Sequence, residues 1–175
     1  MRLEERDRRC LGIDPGLGRI GFGLVLQRGN SLKALSFGCI ETPADHSLSE
    51  RLLLLDRRLG ELLDEGSPHF VAVERLFFGR NTTTAAMVWQ ARGVILLAGA
   101  RRGLPLFEPK PSEVKLAVCG HGSADKGQVQ GMVQRLLGLD ERPRPDDAAD
   151  ALAAAIAALA MEQFGRRIDG GDLSC

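Results

Sequence analysis

The chain has 175 residues, 44% of them hydrophobic and 26% charged, no Tyr and a formal net charge of zero, so it can bury one full core and does not have the composition of a disordered chain. The opening run Met1 to Arg9 is charged with no apolar segment behind it, which excludes a secretory signal, and no apolar run approaches the ~20 residues of a membrane span. Cys10, Cys39, Cys119 and Cys175 are scattered without Cys-x-x-Cys pairing, which favours reduced thiols over disulfides or zinc and implies a cytoplasmic protein.

Residues 1–8 are expected to be a flexible extension, followed by a single domain over 9–165. Residues 9–14 read as a strand ending in the turn Asp14-Pro15-Gly16. Segments 20–27 and 32–41 read as further strands joined through Arg28-Gly29-Asn30-Ser31, which makes the first three strands an antiparallel meander. Ser47-Leu48-Ser49-Glu50 is a capping box, and Leu48, Leu52, Leu55, Leu59 and Leu62/Leu63 follow at helical spacing up to Gly66. Pro68 stops that helix and His69 to Glu74 forms a fourth strand. The helical crossover before it permits a parallel place in the same sheet. A long apolar helix is expected over 82–100, a short strand over 104–108, and helices over 111–118, 124–137 and 146–164. The tail 166–175 is polar and is expected to be flexible.

Acids stand where these core segments end. Asp14 closes Leu11-Gly12-Ile13, and Glu74 closes Val71-Ala72-Val73. Strand alternation sends Ile13 and Val73 to one face and Asp14 and Glu74 to the other. Asp147 and Asp150 lie three apart at the start of an Ala-rich helix, so they share one helical face. Each acid also has a plain structural role: a turn residue at Asp14, a strand end at Glu74, a helix cap or dipole partner at Asp147 and Asp150. Brought together, four carboxylates repel and require a proton or a cation. Oxygen-only ligands suit Mg²⁺ or Mn²⁺, and paired ions of that kind serve nucleases and polymerases.

Zero net charge argues against a nucleic-acid binder, but its distribution does not. Between Arg75 and Lys126 stand eight basic residues and three acids, a local excess of +5 that leaves −5 elsewhere. Such a stretch can grip phosphates or can be a solvated helix face, and charge alone leaves the two even.

The order of elements resembles the ribonuclease-H-like fold, an α/β architecture with a mixed five-stranded sheet flanked by helices. In that fold the first and fourth strands are adjacent and parallel, so Asp14 and Glu74 would meet at its centre. Five strings go further: Leu11-Gly12-Ile13-Asp14-Pro15-Gly16, Val73-Glu74-Arg75-Leu76-Phe77-Phe78, Gln90-Ala91-Arg92-Gly93-Val94, Gly120-His121-Gly122-Ser123-Ala124-Asp125-Lys126 and Asp147-Ala148-Ala149-Asp150-Ala151-Leu152. In this order they resemble the RuvC family of bacterial Holliday-junction endonucleases. The resemblance implies a catalytic and metal-binding tetrad of Asp14, Glu74, Asp147 and Asp150, an active-site lysine at Lys126, and two Mg²⁺ or Mn²⁺ ions. It implies hydrolysis at a four-way DNA junction by paired symmetric nicks in recombination and repair, leaving 5′-phosphate and 3′-hydroxyl ends. It places Phe77 against the junction, with Arg75, Arg80, Asn81, Lys115 and Lys126 as further DNA contacts and Phe78 as core or a second wedge. It also implies a homodimer built on the 82–100 helix, whose Ala85, Ala86, Ala91 and Ala98 permit close approach, and a RuvA–RuvB branch-migration complex as partner. Asp146 beside Asp147 leaves the register of the last ligands open. Two other classes share parts of this pattern. An actin-like or sugar-kinase-like phosphotransferase would need a second phosphate loop and a second domain, and a catalytically inactive DNA-binding relative would usually lack one or more of the acids.

Overall fold

Cys10, Gly12 and Asp14 alternate with Leu11 and Ile13, and that alternation assigns each residue of the first strand to one of two cores. A computed structural model describes residues 7–75 and 82–169. Strands β1 (Arg8–Asp14), β2 (Arg19–Arg28) and β3 (Ser31–Glu41) form an antiparallel meander. Helix α1 (Leu48–Gly66) then crosses over to β4 (Phe70–Val73), and α2 (Thr82–Arg101) leads to the short β5 (Leu106–Phe107). Helices α3 (Pro111–Cys119), α4 (Lys126–Leu137) and α5 (Asp146–Asp169) complete the order. The sheet runs β3-β2-β1-β4-β5, with β4 parallel to both β1 and β5. The meander, the mixed sheet and the central β1–β4 pair are those expected from the sequence.

Leu11, Ile13, Val71 and Val73 bury themselves against Leu55, Leu59 and Leu63 of α1 and Ala91, Ile95 and Ala98 of α2. Cys10, Phe70 and Ala72 face the other way, onto α3, α4 and α5. Local signals start the helices, at α1 as the sequence predicts and at α4 through a cap that sequence reading passed over. Ser47 and Glu50 cap α1 reciprocally, and Asp125 and Gln128 do the same for α4.

On the second face the sheet has no side chains to spare at its centre. A methyl group on Gly12 would overlap the Ala151 carbonyl oxygen, one on Gly21 the Asp147 carbonyl oxygen, and one on Gly23 the Leu152 side chain. Into this furrow α5 sets an almost wholly buried run from Ala148 to Leu159, eight of whose twelve residues are alanine. Glycine opposite alanine lets the helix axis approach the strands closely, and dispersion attraction across the tight interface holds it there.

Three sequence expectations change here. By length and composition α5 over Asp146–Gly165 would suffice to cross a membrane, contrary to the expectation that no segment would, but most of it is buried against the sheet. Strand β1 starts at Arg8, with Asp7 ion-paired to Arg28 at 2.6 Å, and α5 continues to Asp169. The described basic residues between Arg75 and Lys126 do not form one patch. Arg101 and Arg102 pair with Asp56 and Asp64 of α1, and Arg92 is buried against Glu108.

The furrow makes a direct expectation. Gly12→Ala forces α5 off the sheet and should cost about 1–3 kcal/mol, lowering the melting temperature by roughly 3–10 °C. Gly165→Ala, in the same helix with nothing within 4 Å of the added methyl, should instead be neutral or stabilising by up to ~1 kcal/mol in thermal unfolding.

Candidate active site

The parallel register of β1 and β4 pairs Ile13 with Val73, so the next residue on each strand, Asp14 and Glu74, leaves the sheet edge beside its counterpart. Both point toward the α5 side, since their apolar neighbours Ile13 and Val73 belong to the opposite core. The first turns of α5 carry Asp147 and Asp150 over the same spot, because Gly21 accepts the Asp147 backbone against its own. The turn after Asp14 is tied down from behind. Thr42, buried at the end of β3, donates its hydroxyl to the Leu17 carbonyl and its amide to that of Gly18 at 3.1 Å. Arg51 of α1 in turn donates to the Thr42 hydroxyl at 3.0 Å.

Electrostatics records the convergence. The Asp14 carboxyl is pushed up from 3.8 to about 7, first by burial and then by the charges of Asp150, Asp147 and Glu74. Burial, then Asp150, raises Glu74, with Lys115 opposing. Burial also raises Asp150, with Lys126 opposing. Each group is therefore held in a place where its charge is unfavourable unless a cation arrives.

Lys126 stands at the first position of α4, and its ammonium lies 3.3 Å from both Asp146 and Asp150. Burial works against its charge, but the two aspartates outweigh burial and raise its pKa. Asp146 is the more solvent-open acid, at 65% side-chain exposure against 34% for Asp147 and 30% for Asp150. Its carboxyl is lowered by the Lys126 hydrogen bond, and it is not among the charges that raise Asp14. The register left open by the adjacent pair is thus drawn toward Asp147 and Asp150, with Asp146 as a partner for Lys126.

Lys115 and Lys126 line a cavity of about 220 Å³ together with Glu74 and Asp150. Arg75 is exposed next to Glu74, its amide bonded to the Pro109 carbonyl at 2.9 Å. Phe77, Phe78, Arg80 and Asn81 lie outside the described residues. Sequence reasoning passed over Arg19, whose guanidinium is 3.7 Å from Asp147 and 3.3 Å from Glu41. Nothing in its local string marks it, because only the fold brings the start of β2 under α5. It also passed over Arg142 and Arg144, although the alternating run Arg142-Pro143-Arg144-Pro145 before α5 was a visible signal.

Among the described residues, no group of three or more Asp, Glu, His or Cys side chains is already gathered at ion-holding spacing. The donor set nevertheless fits a hard divalent cation. It offers carboxylate oxygens only, and the charge on Asp14 is disfavoured by its surroundings up to about pH 7. Like charges in a half-buried site keep apart, while Asp and Glu retain the rotamer freedom to close on a cation.

The family model described as "Crossover junction endodeoxyribonuclease RuvC" matches residues 10–158. A protein of that name from Desulfitobacterium hafniense is 56% identical over 146 residues, covering 83% of this chain and 88% of its own. One from a Roseiflexus species is 47% identical over 163 residues, covering 93% and 97%. A solved structure of Thermus thermophilus RuvC in complex with Holliday junction substrate superposes with a TM-score of 0.86 at 36% identity, covering 90% of this chain and 96% of that one. With a matching model over most of its length and relatives of this similarity, the chain belongs to the RuvC family.

Proposed function

We propose that this chain is a metal-dependent endonuclease that resolves four-way DNA junctions by paired symmetric nicks in recombination and repair. The observation that carries this reading is the meeting of Asp14, Glu74, Asp147 and Asp150 at the end of the β1–β4 pair, where burial and mutual repulsion push Asp14 to about 7. Family membership supports it, as does the relative solved with junction DNA. Retention of all four acids favours an active enzyme over an inactive DNA-binding scaffold.

The four carboxylates would hold Mg²⁺ or Mn²⁺, in this reading two ions. Bound there, such ions would supply an activated water and charge stabilisation at the departing 3′ oxygen, chemistry that leaves 5′-phosphate and 3′-hydroxyl ends. Lys126, steered by Asp146 and Asp150, offsets charge on the scissile phosphate. Lys115 and Arg75 flank the acids and contact the DNA backbone, with Arg80 and Asn81 in the same role. Phe77 stacks on bases opened at the crossover. A DNA-processing role fits a cytoplasmic protein that works with a RuvA–RuvB branch-migration complex.

Symmetric cutting needs two copies, and α2 offers the face for a homodimer. Ala91 and Ala98, expected at that face, are buried in the monomer core instead. The outward stripe is Ala86, Gln90, Gly93, Leu97 and Ala100, spaced by three and four residues and carrying no charge. Gly93→Glu, which meets nothing in the monomer, should convert a dimer in sedimentation into a monomer that still melts normally and cuts junctions poorly. A wild-type chain that sediments as a monomer at micromolar concentration would refute this assembly.

Asp14→Asn should abolish cleavage of a four-way junction while leaving junction binding intact or tighter, since it removes both a ligand and a charge facing phosphate. Asp147→Asn and Asp150→Asn should do the same, and Asp146→Asn should act more mildly. Equal severity for Asp146→Asn would move the ligand register by one.

The raised pKa of Asp14 has a signed consequence. The folded chain keeps a proton there that the unfolded chain releases near its ordinary value of 3.8. Stability in EDTA should therefore fall as pH rises from about 4 to about 7, and fall less in Asp14→Asn. Below about 7 a cation must displace that proton, so Mn²⁺ affinity measured calorimetrically should rise by up to about tenfold per pH unit and then level off.

A further inference from the structure

Two cavities reach the acids from different sides, and Lys126 lines both. One holds Glu74, Lys115 and Asp150. The other, of about 670 Å³, is bounded by Arg19, Lys126, Arg142 and Arg144, with Asp146 and Asp147 on its inner wall. We propose that this second cleft is a phosphate-binding seat for the backbone of the cleaved strand, on the far side of the scissile bond from Lys115, with Arg142 and Arg144 as its anion-binding forks. The inference rests on the nuclease reading above.

Charge complementarity carries it. Four cations face two acids in this cleft, and both acids already have partners. Asp146 lies 3.3 Å from Lys126, and Asp147 lies 3.7 Å from Arg19. Arg142 and Arg144 are exposed, and Arg144 attracts the Asp146 carboxylate without closing an ion pair on it among the described residues. Their guanidinium forks are free to receive phosphate oxygens in pairs, the geometry in which Arg exceeds Lys. The backbone that presents them is restrained, because Pro143 and Pro145 fix φ on alternate residues and the Pro145 carbonyl accepts the Ala148 amide at 3.0 Å. The Arg142 guanidinium lies near Gly131 of α4, where this cleft meets a neighbouring cavity that Arg142 also lines.

Continuity supplies the second argument. A strand held only at Lys115 and Lys126 would be fixed on one side of the acids, leaving the other side free to swing. Contacts on both sides set the scissile phosphate in one register, and orientation of that kind is a large part of what positioned groups add to a reaction. The cleft has Asp147 in its wall, so it is continuous with the acids.

The test uses the full chain with Ca²⁺ in place of Mg²⁺ and measures binding to a synthetic four-way junction across a range of NaCl. The double variant Arg142→Gln/Arg144→Gln should flatten the slope of log affinity against log salt by about one to two and weaken low-salt binding by roughly tenfold or more. Arg144→Lys should keep the slope and lose only part of the affinity. Arg58→Gln, on α1 behind the sheet, should change neither. Both loop arginines are exposed, so melting temperatures should hold; if the double variant unfolds, Arg144→Gln alone should flatten the slope by about one. An unchanged slope and affinity in the loop variants, or an equal change in Arg58→Gln, overturns the proposal. Failure of the wild type to prefer a junction over linear duplex would instead refute the junction reading, and the slopes on linear duplex would still report on the cleft.

Discussion

Everything at the candidate site depends on how closely α5 lies on the sheet. Gly12, Gly21 and Gly23 leave a furrow with no side chains, and the helix fills it with alanines whose backbone nearly touches the strands. A side chain of ordinary size at Gly21 would lift the first turn of α5, and with it Asp147 and Asp150, away from Asp14. The same contact that supplies packing energy to the second core therefore sets the distances among the acids. Stability and site geometry come from one interface, and neither can be altered there without the other.

Against that favourable packing stands a local conflict. Where β1 and β4 end under α5, burial and neighbouring carboxylates disfavour the charged forms of Asp14, Glu74 and Asp150. Lys126 relieves only part of this, since it lies between Asp146 and Asp150 and not among all four. A fold can keep such a conflict because the surrounding cores over-determine the backbone at each acid. Thr42 and Arg51 tie the Asp14 turn, and β4 is buried on both faces. Electrostatic conflict of this kind is what a hard divalent cation on an all-oxygen donor set would relieve.

Basic residues divide by function in a way their positions along the chain do not show. Arg101 and Arg102 hold α2 to α1 through Asp56 and Asp64, and buried Arg92 joins α2 to Glu108, just beyond β5. Lys115 and Lys126 face the acids, and Arg142 and Arg144 are left open on the adjoining cleft. A chain of zero net charge can thus present a cationic surface beside its acids, because many of its opposite charges cancel in pairs elsewhere.

Element order, strand alternation and the acid positions were legible in the sequence because each depends on neighbours in the chain. The 3.6-residue spacing of α1, the capping box at Ser47 and the acids closing the first and fourth strands are local patterns. Five ordered strings, read as a family resemblance, carried the tetrad and Lys126. The length and burial of α5 were read less well, since alanine is only weakly apolar and gives no periodic stripe when a helix is buried almost all round. The place of Arg19 was not legible at all, and the Arg142-Pro143-Arg144-Pro145 run was visible as a pattern without showing what it faces. Arg19 approaches Asp147 only because β2 passes under α5, and the loop arginines face the acids only because α4 and α5 pack on one side of the sheet. Likewise Ala91 and Ala98 suited either a core helix or a helix–helix interface by sequence, and packing placed both in the core. The sequence by itself determined which residues carry charge and which segments form strands and helices. Tertiary structure alone decided which charges meet, because electrostatic energy depends on separation and burial, and residues distant in the chain acquire both only when the sheet and α5 close on each other.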